Sequence, residues 1–152
     1  MPEATVLLYF EDEAPAALHL AAAAGLLPQP IQRHRFPDGE IQLTLPAHLP
    51  PRVVLLRGLH QPSDKLTELL LAVPTARQMG AQHLSLVAPY LAYMRQDMAF
   101  APGQAVSQRI VGAWLATLFD AVITVDPHLH RVATLAEAVP AHQAITLSAA
   151  PL

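Results

Sequence analysis

The stretch HLSLVAPYLAYMRQD, residues 83–97, decides how this chain folds. Its first half is a short apolar run of the kind that forms a buried strand, and Pro89 closes it. Its second half sets an arginine, a glutamine and an aspartate side by side in a chain of which only 14% is charged. A buried strand that delivers polar groups at its carboxyl end points to the edge of an open α/β sheet, where such folds bind their ligands.

The flanking sequence agrees. Upstream, RVVLLRGL (52–59) is a continuous apolar run suited to a strand buried on both faces. Between the two runs, KLTELLLAVPTARQM (65–79) predicts a helix capped near Ser63 or Asp64, kinked at Pro74 and ended by Gly80. Downstream, residues Val106–Phe119 predict another helix and AVITVD (121–126) another buried strand. Near the amino end, Thr5–Phe10 reads as a strand and Ala14–Leu27 as a helix stopped at Gly25 and Pro28. Residues 31–45 alternate around the turn Pro37-Asp38-Gly39, which predicts a hairpin excursion with Asp38 and Glu40 at its tip. Strands alternating with helices of this length imply the α/β class: a parallel sheet flanked by helices on both faces, with right-handed crossovers.

Bulk properties narrow the function. The 152 residues suit one domain, and 53% apolar content with a net charge of −3 is far from the composition of a disordered chain. There is no dense basic run to attract nucleic acid or an anionic membrane, so any anion must be bound locally. No apolar run approaches the ~20 residues of a membrane helix. The amino terminus has no basic flank before its apolar stretch, so a secretory signal is not expected. The lack of cysteine excludes thiolate chemistry and is compatible with the cytoplasm, where the chain is expected to work.

Two constellations carry chemistry. In the loop after residues 83–89, Arg95 offers a planar fork of donors to phosphate oxygens, and Gln96 can read an amide or a ring-nitrogen edge. The plainer reading is an exposed loop closed by an Arg95–Asp97 contact. In VDPHLHR (125–131), Asp126, His128 and His130 share one face if the chain stays extended past the strand. Oxygen ligands with one imidazole would suit magnesium shared with a phosphate substrate, whereas all three groups would suit zinc. RFPDGE (35–40) by itself is ordinary turn chemistry. No GxGxxG, Walker loop or GxSxG is present, so neither those phosphate-binding loops nor an activated serine is available. The histidines at 19, 34, 48, 60, 83 and 142 are scattered and expected at the surface.

Taken in order, RFPDGEIQLTL, KLTELLLAVPTARQMGAQHLSLVAPYLAYMRQD, PGQAVSQRIVGAWLATLFDAVITVDPH and the closing AITLSAAPL resemble the amino-terminal half of ribose-phosphate diphosphokinase, from about Arg33 to Leu152. The resemblance implies a phosphoribosyltransferase-like domain of an enzyme that moves the diphosphoryl group of ATP to ribose 5-phosphate with Mg²⁺. It implies that Arg95 and Gln96 contact ATP, that Asp97 completes their motif, and that His128 holds magnesium, with Asp126 two positions before it. It also implies that the loop of Phe36, Asp38, Gly39 and Glu40 reaches the adenine from a neighbouring subunit, so a homo-oligomer is expected.

Four features depart from the family pattern. Met98 stands where a basic residue commonly follows RQD, Pro127 replaces a leucine in the DxH motif, the glutamine two or three places later is missing from HLHRV, and YFEDEAP (9–15) lacks the glycine-serine turn of the first loop. Nothing in these 152 residues resembles the family's ribose 5-phosphate loop or its mobile basic loop. The expectation is therefore a single amino-terminal domain without the family's second domain, holding no catalytic residue of its own and inactive alone. The alternative is a non-catalytic regulatory or assembly protein that keeps the domain's shape.

Overall fold

A computed structural model describes residues 4–150. In chain order the elements are β1 (Val6–Tyr9), a 3-10 turn (Glu11–Glu13), α1 (Ala14–Ala24), β2 (Leu27–Pro30), β3 (Gln32–Arg35), β4 (Ile41–Thr44), β5 (Arg52–Leu56), α2 (Pro62–Gln78), β6 (His83–Ala88), α3 (Ser107–Leu118), β7 (Ala121–Val125), α4 (Leu135–Ala138) and β8 (Gln143–Leu147). Six strands form one sheet in the order β2-β1-β5-β6-β7-β8, and every neighbouring pair in it is parallel. β3 and β4 form the expected antiparallel hairpin.

Register explains the core. Pairing of Leu55 with Leu86 and of Leu86 with Val122 lines these side chains up on one face. There they meet Leu69, Ala72, Val73 and Ala76 of α2, Leu115 of α3, and Leu135 and Ala138 of α4. The opposite face holds a smaller cluster, Leu7, Tyr9 and Leu56 against Ala17 and Ala21 of α1. Helices therefore flank both faces, as the alternation of elements requires. α1 packs on β1 and β2, and Ile145 and Leu147 of β8 are left exposed.

Four boundaries differ from the sequence reading. α1 stops at Ala24 because Gly25 turns left-handed (φ 69°) and the Leu26 N–H reaches back to the Ala21 carbonyl at 2.9 Å. Leu27–Pro30 then forms an edge strand, the place in a sheet where prolines lacking an N–H are tolerated. α2 begins at Pro62 and runs unbroken through Pro74; proline suits the first turn, where its missing N–H costs nothing. β7 ends at Val125: the Asp126 N–H still donates to Leu147 O of β8 at 2.9 Å, but its φ of 41° turns the following chain away from the strand. Part of the closing AITLSAAPL forms β8, and its last two residues lie outside the described ones. Among the described residues no helix is long and apolar enough to cross a membrane.

Candidate functional site

Loops leaving the carboxyl ends of β5 and β6 run side by side, because pairing continues past the strands: the Arg57 N–H donates to Val87 O at 2.9 Å and the Leu59 N–H to Tyr90 O at 2.8 Å. This brings His60 and Gln61 next to Tyr90–Gln96. Met94 and Asp97 point inward as buried anchors. The buried Gln108 of α3 donates its side-chain amide to Met94 O at 3.0 Å, and its backbone N–H to Gln96 O at 3.0 Å. Held at both ends, the loop presents Arg95 outward and leaves Gln96 half-buried.

Arg95 and Gln96 share a cleft of about 410 Å³ with His60, Gln61, Tyr90 and Tyr93, a volume in the range of small-molecule sites. No carboxylate lines it, and among the described residues Arg95 forms no ion pair. The Gln96 amide donates to Met98 O at 2.7 Å. Among the described residues, three that are not glycine have left-handed backbones: Gln61 (φ 50°), Tyr93 (φ 65°) and Asp126 (φ 41°). All three sit in loops at this edge of the sheet, and conformations of this kind concentrate at functional sites.

Asp97 does not close on Arg95. Its side chain is fully enclosed, and Oδ1 accepts a hydrogen bond from Arg131 Nη1 at 2.6 Å. Oδ2 is buried without a partner among the described residues. Arg131 comes from the loop after β7 and lies over the Phe100 ring at 5.2 Å.

The same loop carries Asp126 and His128, both exposed. Asp126 Oδ2 accepts the Ala149 N–H at 3.0 Å. The left-handed turn at Asp126 breaks the extended geometry on which a shared face of Asp126, His128 and His130 rested. The two imidazoles lie 6.2 Å apart, centre to centre. Among the described residues no group of three metal-binding side chains assembles, so the zinc reading has no support. What this loop retains for a cation is one carboxylate oxygen of Asp126 and the imidazole of His128. Neither residue lines the cleft of Arg95 and Gln96.

The β3–β4 hairpin carries Phe36, Asp38, Gly39 and Glu40 at its tip. Gly39 takes φ 97°, and Asp38 Oδ1 accepts the Glu40 N–H at 3.0 Å, which fixes the turn. Phe36 is partly exposed and meets His34 edge-on at 4.8 Å. None of the four lines the cleft within this chain. The hairpin is tied down by charge: Arg33 bonds Glu68 of α2, and Arg35 lies 3.7 Å from Asp64. Glu68 also binds the buried Arg57, which reaches Asp12 at 2.8 Å and Glu13 at 2.9 Å. Arg57 lies over the Phe10 ring at 4.6 Å. Burial works against the Asp12 carboxylate, yet Arg57 and Arg33 hold its pKa below the ordinary value.

Residues 5–118 match the family model described as the N-terminal domain of ribose phosphate pyrophosphokinase. The chain belongs to the ribose-phosphate pyrophosphokinase family. Ribose-phosphate pyrophosphokinase of Methanopyrus kandleri is 39% identical over 107 residues, covering 70% of this chain and 36% of that protein. The Halobacterium salinarum enzyme is 39% identical over 112 residues, covering 74% and 40%. The phosphoribosylpyrophosphate synthetase of Mycobacterium smegmatis superposes with a TM-score of 0.83 at 19% identity, over 97% of this chain and 49% of that one, and so shares the fold. The chain thus spans about two fifths of these curated pyrophosphokinases.

Of the residues that the pyrophosphokinase motifs single out, Arg95 and Gln96 come together in one cleft. Asp97 is turned away beneath them, Asp126 and His128 occupy the next loop, and the hairpin tip stands apart. Sequence reading missed His60 as a cleft wall, Gln108 as the clamp on the loop, and Arg131 as the partner of Asp97. It also missed the cluster of Arg33, Arg57, Glu68, Asp12 and Glu13. For Arg57 a signal existed: an arginine inside an otherwise apolar strand exit needs acids to meet it.

Proposed function

We propose that this domain is the nucleotide- and magnesium-binding half of a ribose-phosphate diphosphokinase, which moves the diphosphoryl group of ATP to ribose 5-phosphate. The observation that carries this reading is Arg95, unpaired among the described residues in a cleft free of carboxylates and walled by Tyr90, Tyr93 and His60. Transfer at phosphorus asks a protein for positioning and charge neutralisation more than for a nucleophile. Arg95 binds and orients phosphate oxygens, Gln96 keeps its side-chain carbonyl oxygen as an acceptor because its amide N–H is held by Met98 O, and the tyrosines wall the cleft. Asp126 and His128 would hold the magnesium, which neutralises phosphate charge when bound. Asp97 acts through the loop it anchors.

The hairpin tip is held away from this chain's own cleft, which supports its use in the cleft of a neighbouring subunit. Self-association has a candidate face, the groove between α2 and α3 lined by Leu66, Leu70, Ile110 and Trp114. Leu70 is 50% and Ile110 61% exposed. In this reading the 152 residues bind Mg-ATP and do not turn over alone, because ribose 5-phosphate is held elsewhere.

Calorimetric titration with Mg-ATP tests the reading on the wild-type chain and on Arg95→Ala and His128→Ala. Binding that each substitution weakens supports it. A wild-type oligomer that takes up no Mg-ATP supports the alternative, a non-catalytic assembly protein, which the hold of Met98 O on the Gln96 amide favours. Steady turnover by these 152 residues would overturn the claim of inactivity.

A further inference from the structure

Arg131 and Asp97 lie 34 positions apart, in the loops that follow β7 and β6. Each adjoins a different part of the proposed site. Asp97 directly follows Arg95 and Gln96, whereas Arg131 closes the segment that begins with Asp126 and His128. An enclosed carboxylate is tolerated when a cation is held against it, and among the described residues Arg131 is the only group that hydrogen-bonds this one. Arg131 is itself half-exposed and rests over Phe100, further along the loop that carries Asp97. Its guanidinium therefore holds that loop at two points.

We propose that Asp97 and Arg131 form a latch joining the loop of Arg95 and Gln96 to the loop of Asp126 and His128, with Arg131 as a positioning residue for both. The latch rests on the nucleotide-binding reading for its purpose, but its existence as a link between loops does not. With the latch closed, ordering either loop orders the other. A magnesium ion at Asp126 and His128 then favours the conformation of Arg95 that meets phosphate, and nucleotide at Arg95 favours metal in return, since such coupling is reciprocal.

Two measurements on the 152-residue protein test this. In the first, amide hydrogen exchange without ligand is followed in Asp97→Asn, Arg131→Met, Arg131→Lys and the double variant Asp97→Asn/Arg131→Met. The expected result is reciprocal: Asp97→Asn speeds exchange in residues 126–134, Arg131→Met speeds it in residues 93–98, and Arg131→Lys restores most of the protection. The double variant buries no lone charge, so it stays folded even where Arg131→Met does not, and it should show both loops loosened. Exchange changes confined to the substituted loop overturn the latch.

In the second, ATP is titrated with and without magnesium. Magnesium should tighten ATP binding by about 5-fold or more in the wild type, the usual scale of coupling between sites. That gain should shrink toward unity in Arg131→Met and in the folded double variant, whatever their magnesium-free affinity becomes. An unchanged magnesium gain in Arg131→Met overturns the coupling. If the wild type binds no ATP at all, the functional reading and the coupling built on it fall together, and the exchange experiment still decides whether the two loops are joined.

Discussion

Arg57 and Glu68 meet through two hydrogen bonds, Nε to Oε1 at 2.9 Å and Nη2 to Oε2 at 3.1 Å, and both side chains are almost wholly enclosed. Glu68 sits on α2 and Arg57 at the exit of β5, so the pair fixes the helix to the edge of the sheet that carries the cleft. Because Glu68 also takes Arg33 of the hairpin, one carboxylate positions two elements. Glu68→Ala should leave a buried guanidinium short of a partner and cost about 3–5 kcal/mol. Chemical unfolding checks the magnitude, and faster amide exchange in β3 and β4 checks the loosening of the hairpin. Unfolding unchanged within ~0.5 kcal/mol would mean that Asp12 and Glu13 suffice.

Gly112 of α3 faces the Ala138 carbonyl so closely that a Cβ there would lie 1.8 Å from the oxygen. The obstacle is backbone, which cannot rotate aside as a side chain can. Gly112→Ala should push α3 from α4 at a cost of about 3 kcal/mol, the upper end of overpacking effects. For a chain of this size each kcal/mol shifts Tm by about 2–4 °C, so a drop near 10 °C is expected in a thermal melt. A melt within about 2 °C of wild type would show that the helices separate without strain.

Asp120 accepts the Leu84 N–H at 2.8 Å and lies 3.2 Å from Arg77. Burial raises its pKa, but these partners outweigh burial and leave it below the ordinary 3.8, as Asp12 is also left beside Arg57. A carboxylate depressed in the folded state stabilises the fold above its unfolded pKa, and that contribution is lost as pH falls through the folded value. Stability should therefore be flat in these groups at neutral pH and decline below about pH 4. Asp120→Asn keeps an acceptor but cannot titrate, so its unfolding midpoint should change less over that acid range. Equal acid sensitivity in the two proteins would remove Asp120 from the explanation.

Arg95 is the residue whose loss should separate binding from folding. A hydrogen bond to a charged group contributes roughly 1.5–3 kcal/mol, so Arg95→Ala should weaken Mg-ATP binding by about 10- to 150-fold. Its side chain is exposed and pairs with no acid among the described residues, so unfolding should shift by no more than ~0.5 kcal/mol. Loss of stability with unchanged affinity would invert its assignment.

What could be read from the sequence followed burial and chain distance. β5, β6 and β7 are interior strands of a parallel sheet, so both faces select apolar residues and the runs stand out. β2 and β8 lie at the edges; LPQP carries two prolines and QAITL is mostly exposed, so neither shows a buried pattern. Arg95 and Gln96 were legible because polarity directly after a buried strand is informative wherever the chain goes next. The inward turn of Asp97 was not, because its partner is 34 positions away and only the fold chooses it. Arg57 was hidden for a similar reason: its acids come from 11 to 45 positions along the chain.

The groove between α2 and α3 supplies the last prediction. Leu66, Leu70, Ile110 and Trp114 face one another across about 320 Å³ of open space, where no other element of the described chain covers them. Apolar surface of this kind on two adjacent helices favours contact with a like surface, and a two-fold dimer would lay one groove on its copy. The weight-average sedimentation coefficient of the wild-type protein should rise with concentration, and Trp114 fluorescence should shift to shorter wavelength with it. Ile110→Lys places a charge on the most exposed of these positions without touching the core, so the protein should stay folded and sediment as a monomer across the same range. Persistent association in Ile110→Lys would place the contact elsewhere, with the exposed Ile145 and Leu147 of β8 as the next surface to substitute.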